Sequence, residues 1–376
     1  MKGTIATLSR VCLPRPLLRR AARVALLSPA AVADEWQAWQ SDEIGPAESL
    51  RNPVHRLRRL APLIDANLRA SCVRLDDPLK SFLRMAAAHE KMRWEAIESV
   101  VGASLTALGQ HRMEFLVLRG VALAATVYPQ PFLRHCHDLD LLVPPSGADA
   151  AADCLAKAGF IPGLPPPGSD EESRWMVHPS GFPVGIHVRP FRLRPWNRDI
   201  PWVKDCPAHP FAGQEFHTLD PAQMLAVVCI HAVTVGSVHS PSWISDASRL
   251  VAATPQIDWD RVVGSGPALP LWLTLSWLQR ELGTPVPPEV LEGLHNQVAV
   301  CDEATGKQAG AAAMLCSLGR SVDLLRSAQG MGERLHWLRQ LALPESSILR
   351  WVEHSDAPSA FLYVRRLRRF TRAGRA

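Results

Sequence analysis

Asp138 and Asp140 lie one residue apart in the run Arg134-His-Cys-His-Asp-Leu-Asp-Leu-Leu-Val143. On a strand, side-chain direction repeats every two residues, so the pair is expected to project from one face. Two carboxylates so placed offer hard oxygen donors to one or two divalent metals such as Mg2+ or Mn2+. An Asp-x-Asp pair alone is more often structural or solvated. What gives this one weight is the stretch before it, Phe115-Leu-Val-Leu-Arg-Gly-Val121.

The elements that must position the pair read as strand, glycine turn, helix, loop and acidic strand. Glu114 to Leu118 is a compact apolar run that stops at Arg119-Gly120, and a helix-compatible segment follows from Val121 to Val127. Glycine lets a backbone come close to a phosphate, and amides at the start of a helix favour an anion. Gly120 is therefore a candidate for close phosphate approach. Arg119 and Arg134 are candidate triphosphate contacts, because the planar guanidinium matches phosphate oxygens. For Arg134 a second reading stands beside it, a salt bridge to Asp138 or Asp140 without ligand.

At these residues the chain resembles the nucleotidyltransferase superfamily typified by DNA polymerase beta, and within it a poorly characterised bacterial branch. The branch is marked by a Lys/Arg-Gly turn, a later arginine, an Asp-x-Asp-Leu-Leu-Val strand and a hairpin strand ending in carboxylate-x-His. Here these are Arg119-Gly120, Arg134, Asp138 to Val143, and Gly185-Ile-His187. The third carboxylate of the pattern falls on Gly185. The resemblance covers residues 113 to 190 most fully and extends more weakly toward the C-terminus.

The resemblance implies metal-dependent transfer of a nucleoside monophosphate from an NTP to an acceptor, with Asp138 and Asp140 as the metal ligands. His187 faces the same way as position 185 and stands as a base, a metal ligand or a polar contact, beside the plainer reading of a hydrogen-bonded strand-end histidine. His231 and Asp246 match family positions at a substrate cleft; a buried polar pair that fixes two helices is the reading preferred for them. The departure at Gly185 supports an alternative of a different class, a degenerate member that binds nucleotide or a partner protein without turnover. The resemblance also implies a setting in bacterial biosynthetic clusters, including those for lasso peptides, with a peptide, protein or small metabolite as acceptor. Nucleic acid is the less favoured partner. No Ser/His/Asp arrangement, Walker loop or dinucleotide fingerprint competes.

The 376 residues leave room for two or three compact units, and 47% apolar with 20% charged residues is the composition of a globular protein. The net charge of +5 comes almost wholly from arginine. Eight scattered cysteines without a Cys-x-x-Cys pair exclude a zinc ribbon and fit a reducing cytoplasm; Cys154 and Cys229 read as small core residues. The N-terminal arginines run through their segment with no uninterrupted apolar core behind them, which argues against a signal peptide. No segment approaches the length needed to cross a bilayer.

The expected architecture is α+β: a small mixed sheet core with flanking helices, an N-terminal helical segment and a C-terminal α-helical domain. The divisions are a basic arm at 1–33, helices at 34–110, the core with an insertion at 111–217, helices at 218–345 and a basic tail at 346–376. A helix is predicted over Lys80 to Leu108 and closed by Gly109, and another over Ala148 to Ala158 closed by Gly159. A hairpin is predicted from Trp175 to Phe191, an N-cap at Asp220 before Pro221, and helices around Trp243 and over Leu269 to Leu282. The proline-rich stretch Ile161 to Ser173 and the segment Arg192 to Phe216 read as loops, the latter offering Arg192, Arg194 and Arg198 to phosphates or to solvent.

Overall fold

The computed structural model describes residues 13–52, 57–164, 172–190, 205–234 and 241–300, with isolated positions between 331 and 364. Arg192, Arg194 and Arg198, the helices expected toward Leu343 and the arginines of the C-terminal tail lie outside the described residues.

The class is α+β, as expected. Five short strands form one mixed sheet: β1 (Leu116–Leu118), β2 (Leu139–Leu142), β3 (Ile161–Pro162), β4 (Arg174–Val177) and β5 (Pro183–His187), in the order β1-β2-β5-β4-β3. β2 and β5 run parallel, and the other pairings are antiparallel. Strands β1, β2 and β5 are buried because apolar residues fill them apart from Asp140, Gly185 and His187: Leu116, Val117, Leu139, Leu141, Leu142, Val184 and Ile186 are all inaccessible to solvent. The predicted hairpin is β4 and β5, turned at Gly181 with φ +85°.

Three helical groups surround the sheet. Before it come α1 (Pro16–Leu26), α2 (Pro29–Gln40), α3 (Pro46–Arg51), α4 (Ala61–Ala70) and the long α5 (Asp77–Gln110). Four of these five carry proline in the first turn of a helix that no side chain caps, and α5 adds an Asp76 cap that accepts from the Leu79 amide at 3.1 Å. Within the core stand α6 (Arg119–Thr126), packed on β1 and β2, and α7 (Ala148–Lys157), packed on β3, β4 and β5. After it come α8 (Pro221–Thr234), α9 (Ser242–Ala253), α10 (Trp259–Gly264), α11 (Ala268–Leu282) and α12 (Pro288–Val300). Helix α8 is the hub of that last group, packing against α9, α10 and α11. Asp220 caps it as predicted, its Oδ1 accepting from the Ala222 and Gln223 amides.

The N-terminal segment read as a basic arm forms α1, which buries Leu18, Ala21, Ala22, Val24 and Ala25. Its Arg20 and Arg23 both bind the buried Glu35 of α2 at 2.8 Å. A single buried apolar cluster runs from Leu18 to Val298 through the sheet. Cys154 and Cys229 are buried in it and unpaired.

Three local readings differ from the structure. Helix α5 runs past Gly109 to Gln110, and the left-handed residue beyond it is Arg112 at φ +53°. Ile161–Pro162 forms the edge strand β3 where only loop was expected, because the Ile161 and Pro162 pair with Val177 and Met176. The segment read as aperiodic contains a second hairpin, β6 (Ala208–Phe211) and β7 (Gln214–His217), whose two-residue turn is Ala212-Gly213 with φ +48° and +79°. Its strands are short and one holds Pro210, so neither gives the alternation that marks a strand.

Candidate functional site

The sheet register assembles the site. Asp140 on β2 faces Leu118 at the end of β1 and Gly185 on β5, and Gly185 in turn faces Trp175 on β4. Residues paired across strands share a face, so Asp140, position 185 and Trp175 form one row. Because the chain leaves β1 beside Asp140, Arg119 is delivered to the carboxylate directly, with Nη2 2.9 Å from Asp140 Oδ1.

The tight passage from β1 into α6 falls on Arg119 itself, with φ +46°. That is uncommon for a residue with a side chain. It is held by the ion pair with Asp140 and by a second contact in which Arg119 Nη1 donates to the imidazole of His231 on α8, 2.5 Å from Nδ1. Gly120, read as the turn, lies within the helix. Its missing side chain makes room for Arg134: a Cβ there would stand 2.8 Å from Arg134 Nη1.

Arg134 is buried and engaged. It meets Asp246 of α9 through Nη2 to Oδ2 at 2.8 Å and Nε to Oδ1 at 3.2 Å, while Nη1 donates to the His135 carbonyl at 2.9 Å. The Tyr128 hydroxyl donates to the same Asp246 Oδ1 at 2.7 Å. Burial opposes the charge on Arg134, but the Asp246 carboxylate beside it holds its pKa well above the usual arginine value. Burial and the Asp246 charge likewise push the Tyr128 hydroxyl up. The salt bridge considered for Arg134 thus goes to Asp246 instead of Asp138 or Asp140. The two residues expected to pair each engage an arginine: His231 meets Arg119, and Asp246 meets Arg134.

Asp138 sits one residue before β2, with Oδ2 3.5 Å from His137 Nε2. Helix α5 fixes the approach to it: Arg93 donates to the Cys136 carbonyl at 2.8 Å, and Glu90 Oε1 lies 2.9 Å from His135 Nδ1. Burial and the nearby Asp140 charge push the Asp138 carboxyl up to about 7. Asp140 goes the other way: burial opposes ionisation, yet Arg119 and the His187 hydrogen bond hold its carboxyl well below the usual range. Among the described residues no three His, Cys, Asp or Glu side chains are gathered ready to hold a metal. The donor chemistry of the two carboxylates suits a divalent ion, which prefers hard oxygen ligands, although in this structure the Arg119 guanidinium supplies the positive charge beside Asp140.

His187 Nε2 lies 2.8 Å from Asp140 Oδ1, and its Nδ1 lies 3.3 Å from Ser173 Oγ. Ser173, Tyr128 and Trp175 carried no signal in the sequence. Only the folded chain identifies the first and last of them, through the Ser173 contact with His187 and the pairing of Trp175 with Gly185.

The sheet thus brings Arg119 and His187 to Asp140, with Asp138 one residue before the strand and Arg134 held apart by Asp246. Residues 54–269, more than half of the chain, match a family described as an uncharacterised nucleotidyltransferase, and the chain belongs to that family. No curated protein and no solved structure matches it. Among the described residues no helix is long and apolar enough to cross a membrane.

Proposed function

We propose that the protein transfers a nucleoside monophosphate from an NTP to a hydroxyl or similar group of an acceptor, in a reaction dependent on Mg2+ or Mn2+. The observation that carries this reading is the carboxylate pair, half-buried Asp138 and buried Asp140, with the Arg119 guanidinium 2.9 Å from Asp140 Oδ1. Asp138 and Asp140 would hold the metal, which offsets negative charge on the transferred phosphoryl group and the departing pyrophosphate. Arg119 contacts the triphosphate. The acceptor oxygen attacks the α-phosphorus, the bond to the β-phosphate oxygen breaks, and pyrophosphate leaves.

Arg134 and Asp246 are assigned to the frame. The Arg134 guanidinium is committed to Asp246 and the His135 carbonyl, and so holds α9 against the loop that leads to Asp138. His231 steers Arg119 in the same way from α8. Peptides, proteins and small metabolites of a bacterial biosynthetic cluster are the acceptor classes to try first.

Gly185 favours a second reading, a binding protein without turnover, since it brings no carboxylate opposite Asp140. Calorimetry with an α,β-methylene NTP analogue tests what the two readings share. Both expect binding that needs a divalent ion and is lost in Asp140→Asn; metal-independent binding, or none, sinks both.

A further inference from the structure

The edge of an indole lies over Gly185, the residue paired with Asp140. A Cβ built at Gly185 would stand 3.0 Å from Trp175 Cη2 and 3.2 Å from Cζ2, besides 2.8 Å from His187 Nε2. Glycine leaves that room, since carbon does not approach its neighbours so closely without something shifting. The Trp175 ring meets His187 edge-on, with planes at 87° and centroids 5.7 Å apart, and His187 Nε2 is 2.8 Å from Asp140 Oδ1.

Cζ2 and Nε1 of an indole are bonded to the same ring carbon, so the edge turned to position 185 is the edge that carries the N–H. Trp175 Nε1 is buried and has no hydrogen-bond partner among the described residues. Arg119 Nε is buried and unpartnered in the same sense, although Nη1 and Nη2 of its guanidinium are engaged by His231 and Asp140. Folded proteins pair nearly all of their buried donors, and each one left over calls for a reason. Here two are left over beside Asp140, one arriving from β1 and the other from β4.

We propose that Trp175 reads the nucleoside of the NTP, its Nε1–H donating to a lone pair on an uncharged oxygen or nitrogen of that group, while the Arg119 Nε–H meets a phosphate oxygen. This rests on the nucleotidyltransferase reading and assigns its nucleoside subsite.

Chemistry and placement support it. A carboxylate at 185 would offer acceptors; the indole offers a single donor, so the ligand atom received there carries a lone pair. The donor is uncharged, whereas phosphate oxygens are matched by the guanidinium fork. In the strand order β1-β2-β5-β4, Arg119 comes to Asp140 from one side and Trp175 from the other. With the α-phosphate at Asp140 and the rest of the triphosphate toward Arg119, the nucleoside runs from the opposite side of the α-phosphate toward β5 and β4. A buried donor there also discriminates, because a site built to hydrogen-bond a group rejects an analogue that leaves the donor unpaired.

The test is nuclear magnetic resonance of the full 15N-labelled chain, in which each of the 12 tryptophans gives one indole N–H signal. The signal absent from Trp175→Phe belongs to Trp175, and its Overhauser contact with the His187 ring assigns it without a variant. Arg119→Lys assigns the Arg119 Nε–H. The probes are tripolyphosphate and the four ribonucleoside α,β-methylene triphosphates, each with Mg2+. Tripolyphosphate should move the Arg119 signal and leave that of Trp175 in place. At least one of the four analogues should move both, the Trp175 proton downfield. Trp175→Phe keeps an aromatic ring and loses the donor, so it should bind that analogue tenfold or more weakly with its affinity for tripolyphosphate unchanged. Analogues that move the Arg119 signal without moving that of Trp175, a Trp175 signal that tripolyphosphate moves equally, or undiminished analogue binding by Trp175→Phe overturns the proposal and leaves the nucleotidyltransferase reading standing. Signals that no probe moves overturn both.

Discussion

Arg134 and Asp246, 112 residues apart in the chain, form a 2.8 Å ion pair whose side chains are 8% and 3% exposed. Through it the loop that carries Asp138 is tied to helix α9. Removing one partner leaves the other charged, buried and alone, at a cost of about 3–5 kcal/mol. Urea denaturation of Asp246→Ala should show a loss of that size. The double variant Arg134→Met/Asp246→Leu should be less destabilised than the two single changes summed. A single-variant loss under about 1 kcal/mol would mean that the pair does not hold the two parts together.

Gly120→Ala tests the same pair from the other side. Its methyl group would meet Arg134 Nη1 at 2.8 Å, so the guanidinium must shift. The expected loss is about 1–3 kcal/mol by the overpacking rule, and Arg134→Met should relieve most of it. Additive losses in the double variant would show that glycine is needed there for another reason.

Arg119→Ala should weaken NTP binding about 10- to 100-fold, the worth of one or two charge-assisted hydrogen bonds. Arg119→Lys should recover part of this, since it keeps the charge and loses the fork. Fluorescence titration with a labelled NTP measures it. Unchanged affinity in the alanine variant would remove Arg119 from the binding site.

Glu35 gives a pH dependence away from the site. Burial opposes its ionisation, but Arg20 and Arg23 together hold its carboxyl below the usual range. A depressed acid stabilises the fold above its unfolded pKa and loses that contribution as pH falls through the folded one. Glu35→Gln should therefore lower stability at pH 7 by about 1–3 kcal/mol, and the gap should close below about pH 4. Thermal melting of both proteins from pH 3 to 8 checks this. A gap that widens in acid would contradict the sign.

What could be read from the sequence was what depends on local pattern. The apolar runs of β1 and β2, the alanine helix closed at Gly159 and the Asp220 cap of α8 all carry their own signals. Asp138, Asp140 and Arg119 were recognisable as a group because they lie within a short stretch. What escaped depends on contacts between distant segments. Nothing near Gly120 announces Arg134, nothing near Arg134 announces Asp246, and Ser173 becomes meaningful only when folding brings it to His187. The hairpin β6 and β7 was hidden by strands too short to show a period and a turn, Ala212-Gly213, without the usual Asn or Asp.

The most direct test of the central claim is label transfer from an α-labelled NTP with Mg2+ or Mn2+, offering cell lysate and candidate peptides as acceptors and using Asp138→Asn/Asp140→Asn as the control. The account predicts label on an acceptor with the unaltered protein, pyrophosphate released in equal amount, and neither with the double variant. Metal-dependent NTP binding with no transfer to any acceptor and no pyrophosphate would contradict it, and would mark the chain as a nucleotide-binding protein that has lost turnover.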